Sequence, residues 1–179
     1  MTSKRSRSDK IPNTAKRQRI QHDSPLSPCE QAADFLLATA KFPVNELAPE
    51  WSIGENRPIN ELHKRRIHQL YKEVGVLRRD ASHRLKVACS KEQVERIKAW
   101  VEKHPNGQQE DTLHSTVDGA TFPSFMDWAA AGCKPAELLA GNHRVRALKD
   151  YLEEAGRNTP DELWWICDIY DIGKLHGPT

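Results

Sequence analysis

No run of apolar residues in this 179-residue chain approaches the length needed to cross a bilayer, and its first residues hold no apolar stretch of the kind that opens a secretion signal. Membrane insertion and secretion are therefore not expected. The four cysteines, Cys29, Cys89, Cys133 and Cys167, lie far apart, with no C-x-x-C pair and no paired histidine spacing, so the common structural zinc patterns are excluded. Together these absences predict free thiols in a reduced, intracellular setting and no metal ligands. No internal repeat is visible. The body of the chain also lacks an excess of positive charge. The net charge is +2, but residues 1–28 hold seven Lys/Arg against two Asp, while the rest holds twenty basic against twenty-three acidic residues. A tail of +5 precedes a body of −3. Overall basicity thus gives no reason for the folded part to bind nucleic acid, which would need a local patch.

The length, with 37% hydrophobic content, supports one core of ordinary domain size. Residues 1–29 are expected to be a disordered tail, because Ser, Pro and charged residues leave few apolar groups to offset the entropy of ordering. Residues 30–175 are expected to form the folded domain. Lys4 and Arg5, then ten residues, then Lys16, Arg17 and Arg19 resemble a bipartite nuclear localisation signal, an extended pair of basic clusters suited to the acidic groove of an import receptor. That predicts a nuclear protein. Ser24-Pro25 and Ser27-Pro28 have the form of proline-directed phosphorylation sites, which would set negative charge beside the basic clusters.

Within the body, Glu30 to Lys41 predicts a helix with Ala33, Leu36, Leu37 and Ala40 as its apolar stripe and Pro43 as its stop. A second helix is predicted from Asn60, a candidate N-cap, to Val74, with Ile59, Leu62, Ile67, Leu70, Tyr71 and Val74 inward and Gly75 closing it. Its other face carries His63, Lys64, Arg65, Arg66 and His68. Arg84 to Ser90 alternates as a half-buried strand should, and Ser90 with Gln93 forms a capping box for a helix that buries Val94, Ile97, Trp100 and Val101. Residues 105–120 read as a long polar loop, and Phe122 to Gly132 as a short helix. Ala136 to Gly141 reads as a strand, Asn142 to Gly156 as a helix packing Val145, Leu148 and Leu152, and Asp161 to Tyr170 as a strand covered on both faces. Alternating helices and strands make the class α+β.

The junction "ELLAGNHRVRALKDYLEE" carries the chemistry. A strand that ends in glycine and turns at once into a helix leaves the first N–H groups of that helix without partners, at the positive end of its dipole. Gly141 permits close approach, and His143, Arg144 and Arg146 add donors within the first turn. Cationic side chains there oppose the dipole by ~0.3 to 1 kcal/mol each unless an anion is present. Gly141, Asn142, His143, Arg144 and Arg146 are therefore the candidate phosphate or nucleotide site, with His63, Arg65 and Arg66 as support.

At these residues the chain resembles the ParB/sulfiredoxin superfamily, and more narrowly the uncharacterised ParB-like proteins of fungi. "LLAGNHRVRALKDYL" looks like that superfamily's strand, Gly-x-(His/Arg)-Arg loop and helix, and "NRPINELHKRRIHQLYKEVG" and "DELWWICDIYD" have counterparts in the same order, so that the likeness spans most of residues 42–171. The resemblance implies a compact α+β, ParB/sulfiredoxin-like nucleotide-binding fold holding a nucleoside triphosphate, with Mg2+ as its companion ion. Sulfiredoxins place their catalytic cysteine where this chain has Asn142, and an amide cannot replace a thiolate nucleophile, so sulfiredoxin activity is not expected. Cys133 is the nearest cysteine in sequence. ParB clamps carry Gly-Glu-Arg-Arg and bind cytidine triphosphate; here Asn142 and His143 replace the carboxylate and one arginine. ParB proteins continue into a helix-turn-helix domain and a dimerisation segment, whereas this sequence ends at Thr179, so sequence-specific DNA binding is not expected. Two other readings accompany the nucleotide- or phosphate-binding module. One is a nucleic-acid binder without sequence preference that uses the tail and the same basic residues. The other is a nucleoside triphosphate hydrolase or phosphotransferase, for which His63, His68 and His143 are of suitable type and no general base is singled out.

Overall fold

The computed structural model describes residues 32–52, 55–105 and 121–175. The basic clusters Lys4, Arg5, Lys16, Arg17 and Arg19, both Ser-Pro pairs, Cys29 and most of the polar loop lie outside the described residues. Five strands form one mixed sheet: β1 (Leu36–Pro43), β2 (Leu47–Ala48), β3 (Leu85–Cys89), β4 (Ala136–Ala140) and β5 (Trp164–Asp171), in the order β1-β5-β3-β4-β2. β5 runs antiparallel to β1 and parallel to β3, while β4 runs antiparallel to β3 and parallel to β2. Helices α1 (Glu61–Val74), α2 (Lys91–Lys103) and α3 (Asn142–Glu154), the single turn α4 (Ile172–Leu175) and two 3-10 turns, Val44–Glu46 and Ala81–His83, accompany the sheet. The class is α+β, and no helix among the described residues is long and apolar enough to cross a membrane.

The sheet divides its side chains by the two-residue period of the strand. Leu85, Val87 and Cys89 of β3 and Trp165, Cys167 and Ile169 of β5 join one buried cluster with Tyr71 of α1, Val94 and Ile97 of α2, and Val145, Leu148 and Leu152 of α3. Lys86 of β3 and Trp164, Ile166, Asp168 and Tyr170 of β5 occupy the alternate positions and belong to the opposite face. The predicted caps are present. Asn60 accepts a hydrogen bond from the His63 amide at 3.0 Å, Gly75 closes α1 with a φ of +82°, and Ser90 and Gln93 form their reciprocal capping box.

Three expectations fail. The helix predicted over Glu30 to Lys41 gives way to strand β1 in its second half, from Leu36 onward. Alanine and leucine favour a helix intrinsically, but β5 is buried over most of its length and needs hydrogen-bonding neighbours on both sides, which β1 supplies from Leu36 to Pro43. An irregularity in pairing between Leu36 and Ala38 hides the strand period at the start of the segment. Phe122 to Gly132 is a series of turns with only one hydrogen bond of α-helical spacing, from the Ala131 amide to Asp127. Its function in the fold is to seat the fully buried Phe125 and Trp128, the latter tied by its indole N–H to the Lys134 carbonyl at 2.7 Å. The predicted inward stripe of α1 is also wrong in part. Only Tyr71 is buried and Ile67 partly so, whereas Leu62, Leu70 and Val74 are 61%, 51% and 64% exposed. The helix leans on α3 through charged groups: Lys64 pairs with Asp150 at 2.9 Å and with Glu61 at 3.0 Å, His68 with Glu154 at 3.1 Å, and Lys72 with Glu154 at 2.5 Å. Lys64 and His68 of the basic face, with Lys72, therefore answer acids of α1 and α3, and the apolar row of Leu62, Leu70 and Val74 is turned outward.

Candidate functional site

The corner between β4 and α3 is built as the sequence suggests, but its side chains are used differently. Gly141 has φ +110° and ψ +11°, and a Cβ there would lie 2.2 Å from Cδ2 of Leu85. Both the left-handed backbone and the contact with β3 demand glycine, so packing, not ligand approach, is what fixes this residue. The first α3 amide with a backbone acceptor is that of Val145, which donates to the Gly141 carbonyl at 3.0 Å. The amides of Asn142, His143 and Arg144 have no acceptor among the described residues, and α3 has neither a side-chain cap nor an acidic residue in its first turn. Three N–H groups at the positive end of a 13-residue helix thus have no protein acceptor among the described residues, the local chemistry that suits an anion.

His143 is not the cationic donor expected from its position. Its Nε2 accepts the Asn60 amide at 2.8 Å, and its ring meets that of His63 edge-on at 5.0 Å between centroids. Partial burial and the neighbouring His63 push its pKa below the ordinary histidine value, with Glu61 opposing them. The ring is neutral, carries its proton on Nδ1, and serves to cap the start of α1 from α3. Arg144 is likewise a strut. Its Nη1 donates to the His83 carbonyl at 2.8 Å and to that of Arg84 at 3.5 Å, beside the Trp165 indole N–H, which donates to His83 at 2.9 Å. The Tyr71 hydroxyl donates to the Arg144 carbonyl at 3.5 Å, and burial holds that phenol well above its usual pKa. Arg146 is exposed and has no hydrogen bond or ion pair among the described residues. Arg65 and Arg66 are exposed on α1 and make no bond to the corner; His63 reaches it only through His143.

The structure adds residues that sequence reasoning did not single out. A pocket of about 390 Å³ opens beside Asn142, walled by Trp51, Glu55, Asn56, Arg57 and Ile59. The wall is strapped to the end of β4: the Trp51 indole N–H donates to the Leu138 carbonyl at 2.8 Å, Asn56 Nδ2 donates to the Pro49 and Leu138 carbonyls at 3.2 Å each, and the Ser52 amide donates to the Glu137 carboxylate at 3.0 Å. Arg57 is exposed within that wall. Pro49 and Pro58 bracket the stretch that supplies Trp51, Asn56 and Arg57, but nothing local in the sequence places those three residues against the corner.

Among the described residues no group of three or more His, Cys, Asp or Glu side chains gathers to hold a metal ion. Glu50 and Glu55 line the pocket and are of the type that, one or two at a time, accompanies Mg2+ bound chiefly through phosphates. Cys133 does not approach the corner. It lies buried under α2, where its thiol donates to the Gln93 carbonyl at 3.5 Å and burial raises its pKa, against the opposing charge of Arg96. No protein-family model, curated protein or solved structure matches the chain.

Proposed function

We propose that this chain is a nucleotide- or phosphate-binding module of ParB/sulfiredoxin-like type, whose ligand sets its phosphates against the amides of Asn142, His143 and Arg144. One observation carries the reading: three consecutive amides at a helix start have no acceptor among the described residues, and the first of them, that of Asn142, belongs to a residue that lines a pocket. Arg57 supplies the mobile cation, Trp51 and Ile59 supply apolar surface for the remainder of the ligand, and Arg146 adds positive charge outside. The side chains of His143 and Arg144 hold the corner in shape. Where a triphosphate binds, Glu50 and Glu55 are the residues that would meet its Mg2+, which would offset charge on the phosphates. The basic clusters Lys4, Arg5, Lys16, Arg17 and Arg19 belong to the same proposal as an address for a nuclear import receptor, which a fluorescent fusion carrying alanine at Lys16, Arg17 and Arg19 tests by its distribution in cells.

The site is tested by thermal unfolding with a panel of nucleoside triphosphates, with and without Mg2+, on the parent and on Asn142→Asp and Arg57→Ala. A ligand at a hundredfold excess over its Kd stabilises by about 2.7 kcal/mol. Asn142→Asp sets a carboxylate at the positive helix end, so the free variant is as stable as the parent or ~0.3 to 1 kcal/mol more so, and the ligand shift disappears. Equal shifts in parent and Asn142→Asp, or no shift of the parent with any triphosphate, would contradict the proposal.

A further inference from the structure

The outer side of α1 carries an apolar row that the fold leaves in solvent. Leu62, Leu70 and Val74 are each more than half exposed, and Leu77, just past the end of the helix, is nearly so. The inner side packs lightly. Tyr71 is its buried residue and Ile67 is partly buried, and the links to α3 are the ion pairs of Lys64, His68 and Lys72. A helix in a folded protein draws most of its stability from packing an apolar face, so a row of leucines turned outward on so lightly packed a helix marks a surface made for contact.

The charges on this face are arranged about its middle. The midpoint of Arg66 and Glu73 and that of Leu62 and Leu77 coincide, between Gln69 and Leu70. At a rise of 1.5 Å per residue, Arg66 and Glu73 each stand about 5 Å from that point along the axis, and residues seven apart return to nearly the same side of a helix. Both are exposed, and the Gln69 side-chain amide donates to Glu73 at 2.9 Å, which keeps that carboxylate on the outward side. A second α1 turned end for end therefore sets Arg66 against Glu73 twice, Leu70 beside its own copy, and Leu62 near Val74 and Leu77. A parallel pairing would oppose Arg66 to Arg66 and Glu73 to Glu73.

We infer that α1 is the interface of a symmetric, antiparallel dimer of this chain, with Leu70 beside the two-fold axis. The two partners present the same patch, and its positive and negative halves are complementary under that symmetry. A helix of 14 residues is about 21 Å long and ~10 Å wide, which falls short of the ~800 Å² per partner of a standard interface. The dimer is therefore reversible, and its population follows concentration. Neither Asn142 nor Arg57 takes part, so the interface stands apart from the corner site.

Sedimentation velocity of the full chain, from micromolar to millimolar concentration, tests the dimer. The parent should move from 20.4 kDa towards twice that mass as concentration rises. Leu70→Arg sets like charges together at the axis and should keep the chain monomeric, while its thermal unfolding matches that of the dilute parent because Leu70 is half exposed. Arg66→Glu and Glu73→Arg each oppose like charges across the interface and should weaken association about tenfold or more. An equimolar mixture of these two single variants again opposes Glu to Arg at both contacts, and should associate as the parent does. That recovery separates self-association along this face from the binding of any other partner. A parent that stays monomeric throughout, a dimer that survives Leu70→Arg, or a mixture no tighter than its components would each overturn the inference.

Discussion

Two regions of this molecule, the β4–α3 corner and the sheet face around Trp164, gather positive charge by opposite means. At the β4–α3 corner the side chains that look cationic in sequence are consumed by the fold: His143 is a neutral cap for α1, and Arg144 braces the turn at His83. What remains for a ligand there is backbone, three amides and a helix dipole, with Arg57 beside them. On the far face of the sheet, where Ile166 and Asp168 are buried, the backbone is spent in the ladder and the charge comes from side chains that converge from separate segments around Trp164, Phe122 and Tyr170. The first is a compact cluster of backbone donors. The second is an extended strip. A motif in the sequence can advertise the former, since its amides are consecutive, but not the latter.

Gly141→Ala should break the corner and leave the sheet face chemically intact. The strain of a left-handed alanine and the collision with Leu85 cost about 3 kcal/mol together, read by urea unfolding without any ligand. A stability equal to the parent would mean that the glycine serves the ligand and not the packing. Asp168→Asn acts on the other region. It leaves Arg84 and Lys86 without their shared carboxylate, and because the Lys86 side chain is 40% exposed the loss should be about 2 kcal/mol rather than the ~3 to 5 kcal/mol of a fully buried pair. The same change leaves the β4–α3 corner intact, so the triphosphate shift should persist while stability falls; loss of that shift would mean that the two regions are coupled. Arg144→Ala should lower stability by about 1 kcal/mol, the net value of its hydrogen bond to His83, whose carbonyl keeps the Trp165 indole as a donor. Nucleotide affinity should fall by less than about tenfold, the loss expected of a strut, whereas a charged side chain that itself bound phosphate would cost ~1.5 to 3 kcal/mol.

The smallest expected effect concerns pH. The folded His143 has a pKa below the ordinary value of 6.5, so its cap on Asn60 is fully present above that value and is lost as pH falls through the lower, folded value. The NMR titration of its ring should have a midpoint below 6.5, and a midpoint at or above it would mean that the ring is available as a cation to the corner after all.

The elements that were legible in sequence are those whose local signals agree with their surroundings. α1 and α2 announce themselves by caps, and β3 and β5 by their apolar patterns. β1 was hidden because Ala and Leu carry helix preference, and only the demand of β5 for a neighbour makes the segment a strand. The corner was legible as a place, since glycine at a strand-to-helix turn has few other meanings, but the work of its side chains was not. His143 and Arg144 are recruited by Asn60 and His83, residues that sequence distance of this size conceals. Arg57 and Trp51 went unremarked for the same reason, as did the sheet face, whose cations come from β1, the loop before β3 and β3 itself.

The direct measurement is a two-dimensional amide NMR titration of the full chain with the triphosphate that stabilises it most. The account predicts that the amides of Asn142, His143 and Arg144 move first and saturate together, with Arg57 following them and Arg78 and Arg79 unmoved. Saturating shifts around Trp164, Arg78 and Arg79 with the three corner amides still would contradict it.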